Sequence, residues 1–150
     1  MPHSYCSCYI HVVFSTKERR DLIAPELQER LFPYFGGIAK INAMKAMIVG
    51  GTANHAHILL SLPAVMSIAK AIQLMKGGSS KWIHDTFSDF KHFAWQEGYG
   101  AFSVSMSQIE AVTQYIQNQA EHHRKISFEE EFLTLLKKHR IEYDERYVWG

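Results

Sequence analysis

The sequence predicts an α+β fold: an antiparallel sheet built on a split β-α-β unit, with helices on one side and additional helices at the C-terminal end. Three observations predict it. Residues 5–15, 44–49 and 56–62 are β-branched, aromatic or alternating in character, and a helical pattern separates the first from the second. The short connection "GGTAN" makes the second and third segments antiparallel neighbours. Two S-x-x-E patterns, Ser107 with Glu110 and Ser127 with Glu130, open further helices after a fourth extended stretch.

Taken in order, "YCSCYIHVVFS" reads as a central strand from Tyr5, followed by the basic turn "TKERR". Pro25 suits a first helical turn, and Leu27, Leu31, Phe32, Phe35 and Ile38 recur at helical spacing to about Ile41. A strand ends at Val49. In the next, Ala56, Ile58, Leu60 and Leu62 share one face until Pro63. Ser67 caps a helix carrying Ile68, Ala71, Ile72 and Met75, with Gly77 and Gly78 expected to break it or let a ligand approach. Residues 93–105 read as a fourth strand or a bent pair turning at Gly98 to Gly100. The last two helices run to about His123 and about Arg140, and the aromatic tail packs. No repeat or linker interrupts the 150 residues, so one domain spanning 1–150 is expected.

Composition narrows the function classes. With 47% apolar residues the chain is not disordered, and at a net charge of +1 any nucleic acid must be held by local patches. The two cysteines, Cys6 and Cys8, rule out a four-thiolate zinc site within one chain and suit reduced thiols. There is no signal-peptide pattern and no apolar run of membrane-spanning length, so a cytoplasmic protein with no membrane partner is expected. Nine histidines are many for this length.

Two of these are one residue apart in a strand. Alternation puts His55 and His57 on the face opposite Ala56, Ile58 and Leu60, roughly 7 Å apart along the chain, from where two imidazoles can converge on one cation. A turn-capping His55 and a solvent-facing His57 fit the same pattern, so the pair needs a partner. The helix "AVTQYIQNQAEHH" offers one: beside its apolar stripe of Ile109, Val112, Ile116 and Ala120, Tyr115 and Gln119 stand at i,i+4, roughly 40° apart around the axis, with His122 near the same line. An amide carbonyl can serve as third ligand and a phenol oxygen as nucleophile.

The motifs "HVVFSTKERR", "GGTANHAHILLSLP", "SIAKAIQLMKGGSSKW", "WQEGYGAFSVS" and "YIQNQAEHHR", in that order from about residue 5 to 125, resemble the single-tyrosine HUH transposases of the smallest bacterial insertion sequences and the related REP-associated tyrosine transposases. The resemblance implies a ferredoxin-like (RRM-like) palm, an obligate homodimer, and site-specific cutting and rejoining of single-stranded DNA with hairpin ends, using Mg²⁺ or Mn²⁺. It implies that His55 and His57 are metal ligands, Gln119 the third, and Tyr115 the nucleophile that forms a 5′-phosphotyrosine. In such proteins the tyrosine helix can serve the other subunit's site.

DNA contacts are expected from Lys17, Arg19 and Arg20 in the basic turn and from Lys76, Ser79, Ser80 and Lys81 on the middle helix. His122 and Arg124, after the tyrosine helix, are expected to join them. Trp82 and Trp95 are the exposed-aromatic candidates for stacking a base, though core packing suits both. His11 is expected to be a satisfied strand histidine, and residues after about 126 to serve packing alone. Two rival readings are a non-catalytic hairpin-binding repressor on the same fold and a metal hydrolase of small substrates; the second leaves Tyr115 without a purpose.

Overall fold

A computed structural model describes residues 4–149. Four strands, β1 (Tyr9–Ser15), β2 (Lys45–Thr52), β3 (His55–Ser61) and β4 (Gly100–Val104), form one sheet in the order β2-β3-β1-β4, every pair antiparallel. Helix α1 (Pro25–Ile41) crosses from β1 to β2 and α2 (Ile68–Thr86) from β3 to β4, which is the split β-α-β arrangement expected. Helices α3 (Ile109–Gln117), α4 (Gln119–His122) and α5 (Phe128–Lys138) follow.

The sheet is covered on both faces, not one. On the first face Ile10, Val12, Phe14, Ala56, Ile58 and Leu60 meet Leu27, Leu31, Phe35, Ala71, Ile72 and Met75 of α1 and α2. Burying each of the larger side chains contributes roughly 1.5–3 kcal/mol. On the second face Val13 and Phe102 meet Phe128, Phe132, Leu135 and Leu136 of α5, and α3 rests on β2. Strand alternation therefore sends His11, His55 and His57 into a second buried layer, each under 5% exposed.

Several boundaries differ from the sequence expectation for local reasons. Strand β1 starts at Tyr9 rather than Tyr5, because its neighbours end at Ser61 and Val104; Tyr5 is exposed. Strand β2 runs through Gly50 and Gly51 to Thr52, leaving only Ala53 and Asn54 as the turn. Gly77 and Gly78 lie inside an unbroken α2, where Gly78 lets the Ile38 side chain of α1 come close. Ser107 caps nothing: its hydroxyl pairs with Ser105, and Gln108 precedes α3 without a side-chain cap. The Ser67 and Ser127 caps form as expected, accepting from the Lys70 and Glu130 amides. The tyrosine helix breaks at Asn118, which turns Ala120 outward and Gln119 inward.

Gly50 sets the height of α3 above the sheet. A Cβ there would overlap the Ile116 carbonyl oxygen and stand 2.8 Å from the Ile116 Cγ2. Gly50→Ala is expected to cost about 1–3 kcal/mol by this overlap and to lower the melting temperature by at least about 2 °C in thermal denaturation.

Candidate metal and tyrosine centre

His55 and His57 enter the buried layer from β3 with their Nε2 atoms toward one place. Behind His55, the Asn54 amide donates to the Arg19 carbonyl, so its Oδ1 accepts from His55 Nδ1 at 2.8 Å. With Nδ1 carrying the proton, the neutral ring keeps a lone pair on Nε2. That lone pair faces the Gln119 carbonyl oxygen at 2.9 Å. The Gln119 amide nitrogen donates instead to Glu131 Oε2 at 3.0 Å. Behind His57, Nδ1 meets His11 Nε2 at 2.8 Å, and its own Nε2 meets Glu131 Oε1 at 3.1 Å.

Glu131 is the residue that sequence reasoning missed. It comes from α5, is 1% exposed, and reaches the His57, His123, Gln119 and Tyr115 side chains. A signal was present in the sequence. Glu131 lies three residues after Phe128 and four before Leu135, on the apolar stripe of its helix, where a carboxylate needs partners. His123 was also missed as a site residue. Its Nδ1 meets the Ile126 carbonyl at 2.9 Å and its Nε2 lies 3.0 Å from both Gln119 Oε1 and Glu131 Oε1. Residues after 126 therefore do more than pack.

Tyr115 hydrogen-bonds to Glu131 Oε2 in the same chain, and its ring centroid is 5.8 Å from that of His57. A cleft of about 570 Å³ between β4, α3 and α5 leads to it, lined among others by His11, Phe102, Val112, Lys138 and His139. Among the described residues, His55, His57 and Glu131 form a compact set of metal-ligating side chains, with donor atoms within 4.8 Å of one another. The chemistry of the set fits a cation: two imidazole nitrogens and a carboxylate oxygen converge in a layer closed to water.

The electrostatics follow from burial. Burial holds the His55 and His11 rings near a pKa of about 3, helped for both by the neighbouring His57, and it lowers His57 too. Burial first, then the Glu131 carboxylate, keeps the proton on the Tyr115 phenol well above its usual range. Burial alone would raise Glu131; hydrogen bonds from His57, Tyr115 and Gln119 outweigh it and keep the group ionised.

The residues expected to touch DNA are scattered. Lys17 and Arg20 are exposed, Arg20 paired with Glu18, while Arg19 stacks on Trp149 at 4.8 Å. Ser79 is fully buried: its hydroxyl donates to the Lys76 carbonyl and accepts from Trp95 Nε1, so it has none to offer a phosphate. Lys76 is half-buried and its ammonium is held by the Gln96, Glu97 and Gly98 carbonyls. Ser80 is half-exposed, Lys81 pairs with Asp85 and Arg124 with Glu121. His122 turns inward instead, its Nε2 buried without a hydrogen-bond partner, 3.5 Å from Glu131 Oε2 and beside the Tyr115 ring. Trp95 packs against Phe14 and Phe93, and Trp82 against Tyr34.

Solved transposase structures share this palm. The chain superposes on a Deinococcus radiodurans R1 protein assigned as a transposase, with a TM-score of 0.64 and 21% identity, covering 79% of this chain and 95% of that one. It superposes likewise on a REP-associated tyrosine transposase bound to a REP hairpin, with a TM-score of 0.56 and 13% identity over 77% of this chain and 68% of that one. The chain belongs to the IS200-like transposase family, whose model matches residues 4–119. The transposases of insertion sequence IS200 from Salmonella typhimurium strain LT2 and from Salmonella typhi are each 25% identical to it over 126 residues, covering 81% of this chain and 82% of theirs. No described helix is long and apolar enough to cross a membrane.

Acidification should unfold the protein. For each histidine whose folded pKa is depressed, the unfolded chain binds the proton first, so stability falls as pH drops from about 6.5 toward 3. Loss of the ionised Glu131 adds to this below its unfolded value of about 4.5. In EDTA, the melting temperature is expected to fall steadily between pH 7 and pH 5, with each of His11 and His55 costing on the order of 1–2 kcal/mol by pH 5. A flat profile there would show that these rings are not held neutral.

Proposed function

We propose that the protein cleaves and rejoins single-stranded DNA at hairpin ends, with Tyr115 as the attacking group. The observation carrying this reading is the phenol beside a buried set of converging lone pairs, in a chain of the IS200-like transposase family. His55, His57 and Gln119 would hold the cation. The chemistry that a bound Mg²⁺ or Mn²⁺ supplies is neutralisation of charge building on the scissile phosphate.

The remaining steps belong to the chain's own residues. Glu131 holds the Tyr115 hydroxyl in place, and burial keeps the phenol protonated until substrate arrives. Tyr115 Oη then attacks phosphorus in line. An Oη–P bond forms, the bond to the 3′ oxygen breaks, the phenolic proton passes to solvent, and the departing oxygen takes a proton from solvent. The 5′-phosphotyrosine retains the bond energy, so a second 3′-OH can reverse the exchange and seal a new junction without ATP. The absence of a G-x-x-x-x-G-K-[ST] pattern from the sequence accords with this.

Joining different ends needs two such centres close together. One tyrosine per centre makes a twofold homodimer the simple assembly. The contact between Tyr115 and Glu131 of one chain supports attack within a subunit in this conformation. Lys17, Arg20, Lys81, Arg124 and the Ser80 hydroxyl remain the groups best placed for phosphates. The cleft beside Tyr115 suits the strand being cut. The cluster of side chains favours this reading over a hairpin-binding repressor, which has no use for a buried metal centre.

Incubation with hairpin-bearing single-stranded DNA and Mn²⁺ is expected to give a covalent protein–DNA adduct that Tyr115→Phe abolishes. An adduct persisting in that variant would move the nucleophile elsewhere, and tight binding without any adduct would favour the repressor. His57→Ala is expected to slow cleavage by roughly 100-fold or more while leaving hairpin binding in EDTA unchanged.

A further inference from the structure

Resting on that reading of the centre, we propose that Glu131 and His123 are also ligands of the cation, and that Glu131 ties the nucleophile to it. Both lie beyond the family-matched residues 4–119. The first support is charge. Imidazole and amide ligands are neutral, and a divalent ion in a layer closed to water needs a compensating negative group. Glu131 is the one buried carboxylate among the described residues.

The second support is spacing. Donors about 2.1 Å from a shared ion lie roughly 3.0 Å apart at right angles and roughly 3.4 Å apart at tetrahedral angles. Glu131 Oε1 is 3.1 Å from His57 Nε2, 3.0 Å from His123 Nε2 and 3.5 Å from His55 Nε2. Gln119 Oε1 is 2.9 Å from His55 Nε2 and 3.0 Å from His123 Nε2. Each length matches the edge expected if these donors share one ion.

The third is the direction of lone pairs. The Ile126 carbonyl can only accept, so His123 Nδ1 donates to it and Nε2 is left facing two oxygens, Gln119 Oε1 and Glu131 Oε1. His55 is committed in the same way by Asn54. Ring nitrogens and oxygens gathered this closely need positive charge among them, and a bound cation supplies it.

Glu131 divides its two oxygens. Oε1 faces the imidazoles; Oε2 accepts from the Tyr115 hydroxyl and the Gln119 amide. The phenol thus stands one carboxylate's width from the ion. Three imidazoles with two oxygens form a donor set that suits a transition-metal dication such as Mn²⁺ better than Mg²⁺.

Calorimetric titration of EDTA-stripped, DNA-free protein with MnCl₂ and MgCl₂ tests the proposal. Wild type is expected to bind one Mn²⁺ per chain, at least about tenfold more tightly than Mg²⁺. Glu131→Gln and His123→Ala are each expected to lower Mn²⁺ affinity about tenfold or more. Loss of binding in His57→Ala with wild-type affinity in Glu131→Gln and His123→Ala overturns the proposal and leaves the parent reading standing. Absence of Mn²⁺ binding by wild type overturns both. Circular dichroism in EDTA checks that the variants fold. A Mn²⁺-soaked crystal of the wild type needs no variant: the anomalous peak is expected within bonding distance of Glu131 Oε1 and His123 Nε2. A peak held by His55, His57 and Gln119 alone overturns the proposal.

Discussion

A buried layer crowded with imidazole nitrogens and amide and carboxylate oxygens is the constraint on which the rest of this molecule turns. Desolvated acceptors that face one another are costly, and folded proteins rarely keep them without a reason. Here His55 Nε2, His123 Nε2, Gln119 Oε1 and Glu131 Oε1 share a space a few ångströms across. Nothing in the packing of the main core requires this arrangement. The apolar residues of the other face, with α1 and α2, close a core without any of these groups.

The sheet makes the layer possible. Antiparallel pairing of β1 with β3 sets Val13 opposite His57 and Ser15 opposite His55, so both imidazoles point away from the α1–α2 side. The bare backbone at Gly50 lets α3 settle directly on β2, which brings Tyr115 over the imidazoles. The break at Asn118 then turns Gln119 inward, where a continued helix would present a different face. Helix α5 closes the layer from the other side with its own apolar stripe. Side chains from β3 and from residues 115–123 meet at one carboxylate of α5.

How much of this could be read from the residues alone depended on whether the information was local. Alternation in β3 announced which face the histidines share, and it survives folding because it is a property of a single element; i,i+4 spacing announced that Tyr115 and Gln119 act together, and both reach Glu131 although the helix breaks between them. The glycine pairs misled because a glycine that clears space for a neighbouring helix looks the same in sequence as one that breaks an element. Ser79 and Lys76 misled because a basic, serine-rich stretch resembles a phosphate cradle until Trp95 and the residues 96–98 loop fill it. Glu131 stayed hidden behind Glu129 and Glu130: three successive acids in a first turn read as complements to the helix dipole, and only the third shares the apolar stripe of Phe128 and Leu135. The helix coverage of the second face followed the same logic, since it depends on where α5 docks.

The docking of α5 has a consequence of its own. Phe128, Phe132, Leu135 and Leu136 gather with Val13 and Phe102 into a small cluster apart from the main core. Local opening of a segment costs at most the free energy of global unfolding, and segments packed through a small separate cluster are where it concentrates. Each excursion of that corner would carry a negative charge out of the centre and release the phenol, with the sheet undisturbed. The carboxylate and the phenol it holds are thus only as fixed as the packing of that small cluster.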